Sequence, residues 1–297
     1  METSHKYKVA GHTFVISLPE GYDRDKYLSP YEPFACDGSD EQPLITLRIA
    51  LTDNLKEKAE GNVKEIFNDE APYFWLYEDK ANPSEWFFGF SYSKEHPDCI
   101  LKTSPDYSEG VVYVPARHAD RLIEFSLSNA MMLLYTFRTS AHETLLVHAS
   151  VIEYEGRGYM FLGRSGTGKS THTALWLKYF GDRARIINGD KPIFRFDGEK
   201  MIACGTPWCG KEGFNINADS PVRAVCFLER GETNEICSIS PADALMRVFS
   251  QILMPKKEQG IDLLFPLLEK MLKTTPCYLL KCNISEEAVR VAYEAMK

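Results

Sequence analysis

Long apolar runs are missing from this sequence. A membrane-spanning helix needs roughly 20 such residues, and the longest candidate, around Ala130 to Phe137, is less than half that, so no membrane partner is expected. Positive charge is also scarce. The chain has 34 Lys and Arg against 42 Asp and Glu, a net charge of −8, and a nucleic-acid protein needs the opposite surplus to neutralise phosphates, so no nucleic-acid partner is expected. The cysteines at 36, 99, 204, 209, 226, 237, 277 and 282 form no C-x-x-C pair, and most sit in apolar, strand-like contexts such as AVCFL. That arrangement favours free thiols in a reducing compartment over a disulfide or zinc framework. The opening METSHKYKVAGHTF lacks a basic-then-apolar leader pattern, and a cytoplasmic location is the expectation. No fixed-period repeat is visible, which sets solenoids aside.

What is present fits an ordinary globular protein. With 297 residues, 44% hydrophobic and 26% charged, the chain holds about two domains of roughly 150 residues. Charge is unevenly spread: residues 1–140 carry 14 basic against 23 acidic side chains, and residues 141–297 carry 20 against 19. An anion is therefore bound most easily in the second half. From Tyr7 to about Ala116, short β-type runs such as PLITLRIAL, EWFFGFSYS and GVVYVPA alternate with the turn clusters LPEGYD, CDGSDEQP and PDYSEG, which predicts a β-rich domain over 1–118. Its aromatic rows read as core, and no chemistry is assigned to it. Over 119–140, Leu122, Phe125, Leu127, Met131 and Leu134 recur at helical spacing, predicting a bridging helix. The remainder, 141–297, reads as an α/β domain: two strands around a Glu155-Gly156 turn, a glycine-rich loop, a helix, more strands, a helix capped by Ser240 with Pro241 first, and a closing helix–strand–helix.

Gly163-Arg164-Ser165-Gly166-Thr167-Gly168-Lys169-Ser170 matches the phosphate-binding pattern G-x-x-x-x-G-K-[ST] in full, with Thr171 opening the helix beyond. It follows the apolar strand Tyr159–Leu162 and precedes an amphipathic segment. Glycines 163, 166 and 168 are expected to let successive N–H groups point inward, where the helix N-terminus adds its partial positive charge. Lys169 would lie against the β- and γ-phosphates of ATP or another nucleoside triphosphate, and the Ser170 hydroxyl would join the shell of Mg²⁺ or Mn²⁺. Phosphoryl transfer also needs an acid. Asp190, in INGDKP at the end of a strand, is the candidate, and it reads equally well as a turn aspartate.

The stretch HASVIEYEGRGYMFLGRSGTGKSTHTALW followed by INGDKP resembles the HPr kinase and phosphoenolpyruvate carboxykinase superfamily, over about Thr144 to Asn217. The resemblance implies a C-terminal phosphate-loop kinase domain behind the β-rich one. It also implies active-site placement of His148, as a metal ligand with Ser170 and Asp190, and a metal-binding or proton-accepting role for Asp190. Without it, His148 reads as a core histidine. One departure is plain: that superfamily carries two adjacent aspartates where this chain has Gly189 and then Asp190. Lys211, in GTPWCGKEGFN, is a candidate for reaching the γ-phosphate or is simply a surface lysine. Arg247 is a candidate second cation or a solvated helix residue. The expected activity is an ATP-dependent phosphotransferase acting on a hydroxyl of an unknown protein, peptide or small molecule. The alternatives are a nucleotide-binding switch without turnover and a carboxykinase-like decarboxylating enzyme.

Overall fold

The computed structural model describes residues 2–36, 38, 40–67, 71–82, 85–210, 213–252 and 261–297. It is a mixed α/β protein of two compact units. The first comprises 1–142 and 253–261, the second 143–252 and 262–297.

In the first unit eight strands form one sheet: β1 (Thr3–Val9), β2 (His12–Leu18), β3 (Ile45–Thr52), β4 (Gly61–Phe67), β5 (Tyr73–Asp79), β6 (Trp86–Ser91), β7 (Cys99–Thr103) and β8 (Glu109–Pro115). Their order is β1-β2-β3-β8-β7-β6-β5-β4. The chain leaves a β1–β2 hairpin whose two turn residues, Ala10 and Gly11, both have positive φ, the turn whose twist matches the strands. It then runs through the short helix α1 (Arg24–Tyr27) and enters β3 parallel to β2. A second short helix, α2 (Leu55–Lys58), leads to the meander β4 to β8. The long helix expected over 119–140 is α3 (Ala119–Ser140), and it packs within this unit on β3, β7 and β8. Gly110 of β8 makes room for it, since a Cβ there would stand 2.6 Å from Leu134 Cδ1. The buried Tyr135 hydroxyl donates to the Val9 carbonyl at 2.8 Å.

The second unit carries β9 (Thr144–Leu146), β10 (Ala149–Tyr154), β11 (Arg157–Leu162), β12 (Ala184–Asn188), β13 (Ile193–Asp197), β14 (Lys200–Cys204), β15 (Asp219–Arg230), β16 (Glu235–Ser238) and β17 (Cys277–Cys282). The order is β12-β10-β11-β15-β14-β13-β9, with β17 also on β15 and β16 on β17. Glu155 and Gly156 form the expected turn, both at positive φ. β15 lies parallel to β11 and β17 and antiparallel to β14. Its twelve residues therefore join two sheet segments. Helices α4 (Lys169–Phe180) and α7 (Glu286–Met296) contribute Trp176, Phe180, Val289 and Met296 to one buried cluster with Tyr159 and Phe161 of β11 and Cys226 of β15. Helix α5 (Pro241–Phe249) starts where expected, with the Ser240 hydroxyl accepting from the Asp243 N–H, and α6 spans Ile261–Thr274.

All eight cysteines are free, with Cys99, Cys204 and Cys226 buried and Cys237 exposed. Among the described residues no helix is long and apolar enough to cross a membrane.

Candidate active site

The phosphate loop leaves β11 at Leu162 and turns into α4 at Lys169. Gly166 and Gly168 have φ of 74° and 105°, a region L side chains rarely enter, so the backbone itself calls for glycine at both positions. Gly163 differs from expectation. It has no positive φ; instead a Cβ there would lie 2.6 Å from Thr167 Oγ1 and 3.2 Å from the Leu228 carbonyl. Close approach, not backbone freedom, is what requires glycine at 163. Thr167 folds back, its N–H and hydroxyl both donating to the Arg164 carbonyl. From the end of β15 the Arg230 guanidinium donates to the Gly166 carbonyl at 2.6 Å. Lys169 is 7% exposed, and its ammonium donates to the Gly163 carbonyl at 2.8 Å, so the cation is already curled over the loop. Ser165 and Thr171 are exposed and Ser170 half-buried in the first turn of α4.

Beside the loop stand His148 and Asp190. His148 occupies the bend between β9 and β10, not a strand position. Two backbone hydrogen bonds set it: its own N–H donates to the Gln251 carbonyl, and the next N–H, from Ala149, donates to the Asp190 carbonyl. On the opposing side Asn188 closes β12 with its side chain fully buried. Its Oδ1 accepts from the N–H groups of both Asp190 and Lys191, at 2.9 and 2.8 Å. Its Nδ2 donates to the Thr206 carbonyl and hydroxyl and to the Trp208 carbonyl. The Ser150 hydroxyl donates to the Gly189 carbonyl at 2.6 Å. Asp190 is thus a turn residue whose turn is rigidly anchored.

The anchoring brings His148 Nε2 to 3.2 Å from Asp190 Oδ1 and the Lys191 ammonium to 2.9 Å from Oδ2. Burial opposes ionisation of Asp190, but the His148 hydrogen bond and the Lys191 charge outweigh it and hold the carboxyl well below the usual range. Burial, with the positive charges of Lys169 and Lys191, lowers the His148 pKa despite its contact with Asp190. At neutral pH the imidazole is therefore neutral and donates from Nε2 to the carboxylate, leaving a lone pair on Nδ1. Because β10 pairs antiparallel with β11, with Ala149 opposite Leu162, His148 stands next to the point where the loop leaves β11.

The sequence motif thus finds its strand–loop–helix frame, and His148 and Asp190, 42 positions apart, meet. Arg247 reaches the same region: it lines a cleft with Gly163, Arg164 and Thr167, its guanidinium 2.7 Å from Glu229. Lys211 lies outside the described residues. Gly189, buried, leaves the first acid position of the expected pair without a carboxylate. Sequence reasoning passed over Asn188, Ser150, Lys191, Glu229, Arg230 and Gln251. Only Asn188 carried a signal, since Asn-Gly-Asp favours a side-chain-capped turn.

Among the described residues no group of three or more His, Cys, Asp or Glu side chains is assembled to hold a metal ion. A magnesium ion needs no such cage when it arrives with nucleotide phosphates, because one or two protein oxygens then suffice. As hard oxygen donors, the Ser170 hydroxyl and the ionised Asp190 carboxylate have the chemistry of that donor set.

Residues 114–289 match the protein family described as "ScmC: SynChlorMet cassette protein ScmC". No curated protein matches the chain. Among solved structures, one described as the Hpr(Ser) kinase/phosphatase from Coxiella burnetii is 16% identical over 51% of this chain and 97% of that one, with a TM-score of 0.30. Likeness at that level assigns no role to any residue.

Proposed function

The chain belongs to the ScmC family of SynChlorMet cassette proteins, and we propose that it is a phosphotransferase moving the γ-phosphoryl group of ATP, or another nucleoside triphosphate, to a hydroxyl. The observation that carries this reading is the adjacency of a complete phosphate loop to an anchored His148–Asp190 pair. The N–H groups of the loop, the N-terminus of α4 and Lys169 would hold the β- and γ-phosphates and offset the charge that shifts during transfer. Ser170 and Asp190 would hold the magnesium ion, which neutralises phosphate charge.

The proton of the attacking hydroxyl goes most readily to His148 Nδ1. A carboxyl held as far down as Asp190 is a weak base, whereas the neutral imidazole keeps an open lone pair on Nδ1 to take the proton. In this reading Asp190 fixes the imidazole tautomer and orientation, and counters the imidazolium as it forms. His148 as a direct metal ligand is the other use of the same lone pair, and Lys211 remains a candidate contact to the γ-phosphate.

A second reading, nucleotide binding without turnover, draws on Gly189, which leaves Asp190 as the sole acid of the expected pair. One experiment separates the two. Purified protein is incubated with Mg²⁺ and γ-labelled ATP or GTP, with and without cell extract. Label on an extract component that disappears in Lys169→Ala supports transfer; tight nucleotide binding with no label moved supports the switch.

A further inference from the structure

We propose that Arg230 is a positioning residue for phosphoryl transfer: from the end of β15 it clamps the Gly166–Thr167 peptide and so sets the shape in which the phosphate loop receives a triphosphate. This rests on the phosphotransferase reading above and adds to that site a residue that need touch neither nucleotide nor acceptor.

The clamp follows from the order of the sheet. β15 lies parallel to β11, with Leu162 opposite Phe227, so where β11 ends and the loop begins β15 runs on through Leu228, Glu229 and Arg230. These three residues border the loop. The Leu228 carbonyl stands 3.2 Å from where a Cβ on Gly163 would be. Side chains alternate along a strand, and Glu229 pairs with Arg247 at 2.7 Å while Arg230 donates to the Gly166 carbonyl at 2.6 Å. The backbone beneath Arg230 is itself held. It stands opposite Cys282 of β17, and the next N–H, from Gly231, donates to the Cys282 carbonyl at 2.9 Å.

The bond falls where the loop backbone is least restrained. Gly166 is exposed, sits at φ 74° and has no side chain to hold it, and glycine gives up more conformational freedom on ordering than any other residue. A peptide unit is planar, so the Gly166 carbonyl and the Thr167 N–H turn together. Arg230 takes the carbonyl end, and the Arg164 carbonyl takes the N–H end at 3.1 Å. Held at both ends, this unit fixes the direction in which the chain enters Gly168 and α4. The N–H groups that open α4 precede its bond from His172 to the Gly168 carbonyl, and they are the donors a helix offers to phosphate. Donors fixed before the ligand arrives cost no reordering on binding or in the transition state. A guanidinium suits the task, because a hydrogen bond from an ionised donor is roughly twice as strong as a neutral one.

The test uses the full chain, first without nucleotide and then with Mg²⁺ and ATP or ADP, and compares the parent with Arg230→Met and Arg230→Lys. Arg230 is exposed, so neither change removes core packing. Amide hydrogen exchange of the nucleotide-free chain, followed by mass spectrometry, should rise about tenfold over residues 163–168 in Arg230→Met and keep the parent rate elsewhere. Calorimetry should show ATP and ADP affinities both about tenfold lower in Arg230→Met, the loss of one charged hydrogen bond, and about threefold lower in Arg230→Lys, which keeps a cationic donor. Unchanged exchange in the loop overturns the clamp. ATP affinity that falls while ADP affinity holds also overturns it, since Arg230 would then act on the γ-phosphate directly. A parent chain that binds neither nucleotide overturns the phosphotransferase reading and the role built on it, and loop exchange in the free chain still shows whether the bond itself restrains the loop.

Discussion

Acidification should weaken the phosphate-loop helix through His172, one turn into α4. The side chain is 3% exposed, packs edge-on against Phe161 with ring centroids 4.7 Å apart, and accepts the Trp176 indole N–H on Nε2 at 3.0 Å. Burial pushes its pKa down from 6.5 to about 4. Charging it would place a cation in an apolar cluster and strip the indole of its acceptor. Below pH 6.5 the unfolded chain takes up a proton that the native state refuses, so stability falls with pH. Near pH 4 the native imidazole also protonates and the loss ends. At about 1.36 kcal/mol per pKa unit, the window costs about 3 kcal/mol, a large share of a domain stability of about 5–15 kcal/mol. The assay is urea unfolding followed by tryptophan fluorescence at pH 7, 6, 5 and 4.5, for the parent and His172→Gln. Glutamine retains a hydrogen-bond acceptor and cannot titrate, so the two stability curves should converge by about 2.4 kcal/mol between pH 7 and 4.5. Curves that stay parallel would show that His172 titrates normally in the native state and would refute the burial argument.

Four further outcomes bear on the site. Lys169→Ala should weaken ATP binding at least tenfold in calorimetry, because the lost group is the cation over the phosphate loop, with a modest drop in melting temperature from the lost bond to the Gly163 carbonyl. Asp190→Ala should retain measurable nucleotide binding but lose about 10²-fold or more in transfer rate, and an intact rate would remove Asp190 from the mechanism. Gly163→Ala should impair nucleotide binding through the contact with Thr167, whereas Gly189→Ala, whose Cβ would meet nothing closer than 3.5 Å, should fold and bind as the parent does. Transfer should fall on acidification along a limb below pH 6.5, since the neutral His148 imidazole is the active form. In Lys191→Met that limb should move to higher pH, because removal of the lysine charge makes the imidazole easier to protonate; an unmoved limb would place the titrating group elsewhere.

Local features of this protein were legible because their determinants lie within a few residues of each other. The phosphate loop is eight consecutive residues between a strand and a helix. The Glu155-Gly156 turn, the Ser240-Pro241 helix start and the α3 periodicity are likewise satisfied by short-range backbone geometry and the direction of side chains. The tertiary structure decided what depends on distant chain segments meeting. Nothing near β3 indicates that it inserts in parallel between β2 and β8, since its burial alternation suits several partners. Nothing around His148 says that the Ala149–Asp190 and His148–Gln251 hydrogen bonds will hold it at Asp190. That junction is set by the buried side chain of Asn188, which takes two turn N–H groups on one side and the 206–208 carbonyls on the other. The same holds for Gly163, whose need for glycine arises from Thr167 and from a carbonyl of β15, 65 residues away.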